Sequence, residues 1–161
     1  PGCVFALGLM LARGASALRL CVRGLLAPEV VAYADALMWP APPMLRHELN
    51  ATLNAMASCG CGFALVVDLA ESVQPRLGVE CAAPCSWPRA FDTLSRLGPC
   101  LDEKRSASLS WVSSEEDGPA LRRDINHVKL VFDPAKEALG AKVYLVARDG
   151  PPPSSPFGST W

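Results

Sequence analysis

The sequence predicts an α+β fold: an antiparallel sheet built from repeated strand-strand-helix-helix units, with the helices on one face. Three observations carry this expectation. Residues 18–23 and 76–81 alternate apolar and polar side chains, the period of a half-buried strand. Leu45, Leu49, Leu53 and Met56 recur at helical spacing instead. Strand pairs also begin near residues 4, 63 and 125, about sixty apart, with short connections that suit antiparallel neighbours. The repeat is one of architecture, not of sequence.

Val4 to Leu11 reads as the first strand. The apolar run from Val4 to Ala12 is about nine residues with Gly8 inside it, far short of the roughly 20 a membrane helix needs. It also lacks the basic start of a signal peptide. Arg13-Gly14-Ala15-Ser16 then turns the chain into Leu18–Arg23, the second strand. Pro28 suits a first helical turn, Val30, Ala34, Leu37 and Met38 follow on one stripe, and Trp39-Pro40 with Pro42-Pro43 ends that helix. The Leu45–Met56 stripe marks a second helix, closed near Gly60 and Gly62. Phe63 to Leu69 is an almost continuous, Val-rich apolar run, as expected of a central strand covered on both faces. Glu71 to Pro75 breaks it, and Arg76 to Cys81 forms the next strand. Trp87, Phe91, Leu94 and Leu97 mark a third helix, stopped by Gly98-Pro99. Asp102 is placed to cap a fourth, with Glu103 in its first turn, running toward Leu109 and Trp111. After a polar, acidic loop from Ser113 to Gly118, Ile125–Phe132 and Ala141–Ala147 are the last strands. Residues 1–149 thus read as one domain, and the Pro- and Ser-rich residues 150–161 as a disordered tail. The start at Pro1-Gly2-Cys3, without Met, is what an N-terminally truncated fragment would show.

Charge and cysteine usage narrow the function classes. Fifteen Lys and Arg against 16 Asp and Glu give a net charge of -1, which argues against nucleic acid or an anionic membrane as a partner held by bulk electrostatics. Seven cysteines, an odd number with no secretory signal, fit a cytoplasmic protein with free, mostly buried thiols. Cys59, Cys61, Cys81 and Cys85 could ligate zinc if their two turns are adjacent, but their spacings of one and three are not the usual two, so no metal is expected. The sequence has no glycine-rich phosphate loop, nucleophile elbow or zinc-protease motif, so no cofactor is implied and the catalytic question stays open.

The candidate surface follows from strand alternation. Helices on one side would cover Leu18, Leu20, Val22, Leu77, Val79, Val128, Leu130, Phe132, Val143 and Leu145. The other face then carries Arg19, Cys21, Arg23, Arg76, Glu80, His127, Lys129, Lys142, Tyr144 and Arg148, with an excess of positive charge. On an open sheet these residues are a solvated face, the common arrangement. On a curled sheet Arg19, Arg23, Lys129, Lys142 and Tyr144 converge as an anion-binding surface for phosphate or carboxylate. His127 and Glu80 are the acid–base candidates there, against the plain reading of a surface histidine.

Several segments together carry a resemblance: residues 7–13, 18–24, 75–81, Cys100 with Glu103-Lys104-Arg105, 127–131 and 141–145. This set, spanning most of residues 4–147, resembles the C-terminal portion of an uncharacterised bacterial protein family encoded beside genes for ribosomally made, modified peptides. The resemblance implies a cytosolic accessory or binding protein whose ligand is a small anion or a peptide. The chain departs from the family pattern near residues 112–124, where it is shorter by about a helix. A second, architectural likeness is to ABBA-type aromatic prenyltransferases, in which Lys and Tyr two apart on inward strands shield a diphosphate. Lys142-Val143-Tyr144 resembles such a pair, with Lys129, Arg19 and Arg23 as companions. That likeness implies an enzyme binding an isoprenoid diphosphate on the basic strand face.

Overall fold

In the computed structural model the described residues are 2–9, 17–112, 122–136 and 138–149. Their elements follow the order β1 (Cys3–Leu9), β2 (Leu18–Leu25), α1 (Ala27–Ala36), α2 (Pro43–Ala57), β3 (Gly62–Leu69), β4 (Val73–Ala82), α3 (Trp87–Leu97), α4 (Asp102–Trp111), β5 (Arg122–Asp133) and β6 (Ala138–Arg148). The expected α+β class, with its strand-strand-helix-helix units, is the one observed. The turn at Arg13–Ser16, the acidic loop Ser113–Gly118 and the tail 150–161 lie outside the described residues. Among the described residues no helix is long and apolar enough to cross a membrane.

The strands form one antiparallel sheet in the order of the chain, β1-β2-β3-β4-β5-β6. Val22, Leu65, Leu77, Val79, Leu130 and Phe132 point from it into a single core with Val30, Leu49, Leu53, Phe91 and Leu94 of the helices. Two bulges add core residues that simple alternation would turn outward. The register shifts between Arg23 and Leu25, at left-handed Gly24 (φ 74°), and again between Ile125 and His127. Each inserts one residue, so Leu25 and Ile125 enter the core out of phase with their strands. Leu145 departs the other way: it is 44% exposed on the edge strand β6.

Local chemistry explains most element ends and corrects two of them. Ser86 caps α3 by accepting a hydrogen bond from the Arg89 amide, and Gly98 ends it in the left-handed region at φ 94°. Asp102 does not cap α4. Leu101 occupies that position, and Asp102 is the first helical residue, where its charge still favours the helix N-terminus. Pro75 does not break the sheet either, since β4 starts at Val73. The ladder shifts register between Val67 and Leu69 opposite it, and a bulge tolerates a residue without an amide hydrogen. Pro75 contributes its carbonyl instead, which accepts a 2.6 Å hydrogen bond from Trp39 Nε1. At the far side of the helix layer, Lys104 Nζ donates to the Ala141 carbonyl at 2.8 Å and Trp111 Nε1 to that of Val146 at 3.4 Å, fastening α4 to β6.

Candidate anion-binding site

The side of the sheet away from the helices is covered over its centre. Ala64 and Val66 of β3 are buried although they lie outside the helix-facing core. The central strand is therefore covered on both faces, as its composition predicts, with Lys129 of the sheet itself leaning over the neighbouring strand. On β2, the hydrogen bond to Asp68 is the main cause that raises the Arg19 pKa.

Register places the polar side chains in rows across this face. Glu80 lies directly opposite Lys129, Lys129 opposite Lys142, and His127 opposite Tyr144. Lys129 Nζ sits 3.5 Å from Glu80 Oε1, and both side chains are well covered, at 14% and 17% exposure. The lysine stem leans across Gly78: a β-carbon there would fall 2.5 Å from Lys129 Cε. Glycine at 78 is what lets the lysine side chain lie across the neighbouring strand. Burial lowers the Lys129 pKa, and Glu80 pulls it back up.

His127 packs face to face with Tyr144, with ring centroids 4.3 Å apart and planes at 19°. Its Nε2 is 3.9 Å from Glu80 Oε1, an electrostatic contact beyond hydrogen-bond reach. Its Nδ1 lies 3.1 Å from Asn126 Nδ2, the residue inserted by the β5 bulge. Burial lowers the His127 pKa below the ordinary 6.5, Glu80 opposes that shift, and Lys129 reinforces it. The native imidazole thus resists protonation more than the unfolded one. Stability is fully present above about pH 6.5 and is lost as the pH falls from there toward the native value. With only His47 and His127 in the chain, a proton NMR titration resolves this directly. The His127 resonances should move with a midpoint below 6.5, and a midpoint above it would contradict the burial argument.

The residues proposed from sequence divide into those the fold brings together and those it does not. Arg19, Lys129, Glu80, His127 and Tyr144 share this face, with exposed Lys142 beside them and half-buried Arg23 across Ala64 from Glu80. Arg76 is drawn away to Asp133, 2.6 Å distant at the end of β5, and exposed Arg148 lies opposite Arg122 at the far end of the ladder. The solvated-face reading holds for Lys142 and Tyr144 but not for Lys129 or His127. Alternation assigned one strand carboxylate to this face, and the structure adds a second. Asp68 accepts two hydrogen bonds from Arg19, at 2.7 and 2.8 Å. Its parity with Ala64 and Val66 was the available signal, masked by the apolar run that holds it. Arg19 and Lys129 are therefore each matched by a carboxylate, and an incoming anion would compete with Glu80 for Lys129.

The thiols gather elsewhere. The Cys59 and Cys85 turns are adjacent, joined by a 2.9 Å hydrogen bond from the Cys85 amide to the Cys59 carbonyl. Among the described residues, however, no three His, Cys, Asp or Glu side chains converge in a way that could hold a metal ion. No family model, no curated protein and no solved structure matches this chain.

Proposed function

We propose that this chain is a cytosolic accessory or binding protein whose polar sheet face takes a small anionic ligand, a diphosphate or a carboxylate. The observation that carries the reading is the strand register that sets Arg19, Lys129 and Tyr144 of β2, β5 and β6 on one face, with the Lys129 ammonium covered beside Glu80. Three cations, Arg19, Lys129 and Lys142, face two carboxylates, Asp68 and Glu80, so the cluster retains positive charge. The exposed face of Tyr144, backed by His127, supplies a flat apolar wall beside that charge. The bacterial family resemblance adds the setting, the biosynthesis of ribosomally made, modified peptides, with a peptide carboxylate as the natural form of the anion.

The second reading, a prenyltransferase-like enzyme, draws on the same placement of Lys142, Tyr144, Lys129 and Arg19. There the cations would stabilise a departing diphosphate. Calorimetric titration with inorganic pyrophosphate and with dimethylallyl diphosphate separates the two. The control is the Lys142→Ala, Tyr144→Ala double variant, whose side chains are exposed enough to change without disturbing the core. Saturable pyrophosphate binding that the double variant loses is the expected result. Much tighter binding of the isoprenoid diphosphate would favour the enzyme. No binding of either by the folded chain would overturn the enzyme reading and the diphosphate form of the first.

A further inference from the structure

The polar face carries two cation–carboxylate pairs of unequal quality. Arg19 and Asp68 are joined by two hydrogen bonds, at 2.7 and 2.8 Å. That fit raises the arginine pKa, so this pair stays charged. Lys129 and Glu80 are held more loosely, with Nζ 3.5 Å from Oε1. A strand lysine can extend into water, yet this side chain is only 14% exposed and its head lies over β4. A β-carbon at position 78 would fall 2.5 Å from Lys129 Cε and 3.2 Å from Nζ. Bare Gly78 is thus the seat of the amine.

The surroundings of that seat weaken the ammonium. Burial is the largest cause that lowers the Lys129 pKa; Glu80 opposes it, and the positive charge of Arg19 adds to it. Cys21 of β2 remains a neutral thiol, its pKa raised mainly by burial. His127 Nε2 lies 3.9 Å from the same Glu80 oxygen, and burial keeps this imidazole neutral at pH 7. Lys142, opposite on β6, is exposed. The chain has four lysines, at 104, 129, 136 and 142, and the other three are all exposed. Lys129 alone among them is drawn out of water beside a carboxylate and a second cation, the setting that turns a lysine into a nucleophile.

We propose that Lys129 is a nucleophilic amine that forms an imine with a small aldehyde or ketone carrying a carboxylate or phosphate, a substrate class that rests on the anion-binding reading of this face. Glu80 first takes a proton from the ammonium and leaves the neutral amine. The nitrogen lone pair attacks the carbonyl carbon, and the C–O π pair moves to the oxygen. That oxygen collects the proton the nitrogen sheds, which gives a carbinolamine. Glu80 then returns its proton to the new hydroxyl, which leaves as water while the nitrogen lone pair closes the C=N bond. The product is a protonated imine facing the Glu80 carboxylate. One water is released, and nothing is oxidised or reduced. Arg19 and Lys142, the other cations of the face, attract the anionic group of the substrate.

The test incubates the folded full chain with glyoxylate and sodium cyanoborohydride, which fixes an imine as a secondary amine, and maps the modified lysines by mass spectrometry of a digest. At neutral pH Lys129 should carry several-fold more adduct than Lys104, Lys136 or Lys142, although it is the most covered. Its labelling should rise with pH through a midpoint below 10.5. Pyrophosphate, by holding the ammonium, should slow labelling at Lys129 and leave Lys136 unchanged. Gly78→Ala pushes the flexible end of the lysine off its seat and should bring Lys129 down to the level of the others. Adduct on the exposed lysines with Lys129 spared, or equal labelling of Lys129 with and without the Gly78 substitution, would overturn the nucleophile and leave calorimetric pyrophosphate binding intact. Selective labelling that pyrophosphate does not slow would overturn the anionic substrate class, and a calorimetric blank for pyrophosphate would trace that failure to the anion reading itself.

Discussion

Trp39→Ala will destabilise this protein by about 3–5 kcal/mol, the range for truncating a fully buried aromatic side chain. Trp39 follows α1 in the connection to α2 and is completely buried. Its ring meets Phe132 of β5 edge to face, with centroids 6.3 Å apart. Its indole nitrogen holds the Pro75 carbonyl of β4, and its own carbonyl accepts from the Arg46 guanidinium of α2. One side chain thus links the helix layer to two strands. Truncation leaves a cavity between them and strips Pro75 of its donor. Against a total of about 5–15 kcal/mol for a domain, the loss is a large fraction. Urea unfolding followed by circular dichroism should show a lower midpoint with an unchanged slope. Trp39→Phe separates the two contributions, since it keeps most of the packing and costs about 1–3 kcal/mol for the unpaired carbonyl. A loss below about 1 kcal/mol for Trp39→Ala would mean that the two layers do not depend on this contact.

The sequence made the sheet legible because period-two alternation survives wherever one face is covered by helices. Leu18, Leu20 and Val22 against Arg19, Cys21 and Arg23 is such a case, and so is the stripe of Trp87, Phe91 and Leu94 that packs α3 onto it. The same rule failed at the bulges. Nothing in residues 122–128 announces that Asn126 is an inserted residue, so the inward turn of Ile125 was not readable, whereas alternation did set His127 on the same face as Glu80. The covering of the polar face was the other hidden property. It depends on which side chains of neighbouring strands lie across one another, and no local pattern encodes it. Alternation could therefore name Arg19, Lys129, Lys142 and Tyr144 as one face without saying whether they meet. Gly78 looked like an ordinary interruption between Leu77 and Val79. Its role is visible only once Lys129 lies across it from the next strand.

Glu80→Gln is expected to lower stability and raise anion affinity together, and that opposition tests the proposed site. Glu80 is the counter-charge of Lys129 at 3.5 Å and the nearest carboxylate to His127. The amide keeps the shape and removes the charge. Lys129 is then left covered, with Arg19 close enough to act against its protonation and nothing opposite to offset it. Breaking a fully buried pair typically costs 3–5 kcal/mol, and partial access to water here reduces the expectation to about 1–3 kcal/mol. The sign of the pH dependence follows from the lysine. Its native pKa already lies below the ordinary 10.5 and falls further without Glu80. The unfolded chain therefore takes up its proton first as the pH drops through 10.5, and the native state bears the full charging cost at neutrality. The deficit of the variant should be largest near pH 7 and shrink as the pH is raised toward 10. Adding Lys129→Met should return much of the lost stability, giving a coupling of about 1–3 kcal/mol in the double-mutant cycle. Pyrophosphate answers the functional half of the question. With Glu80 neutralised, Lys129 no longer has to exchange a carboxylate for the ligand, so the single variant should bind pyrophosphate more tightly than the wild type. The double variant should bind it more weakly than either. A Glu80→Gln protein that loses stability and loses affinity alike would show that the carboxylate holds Lys129 in place for the ligand rather than competing with it.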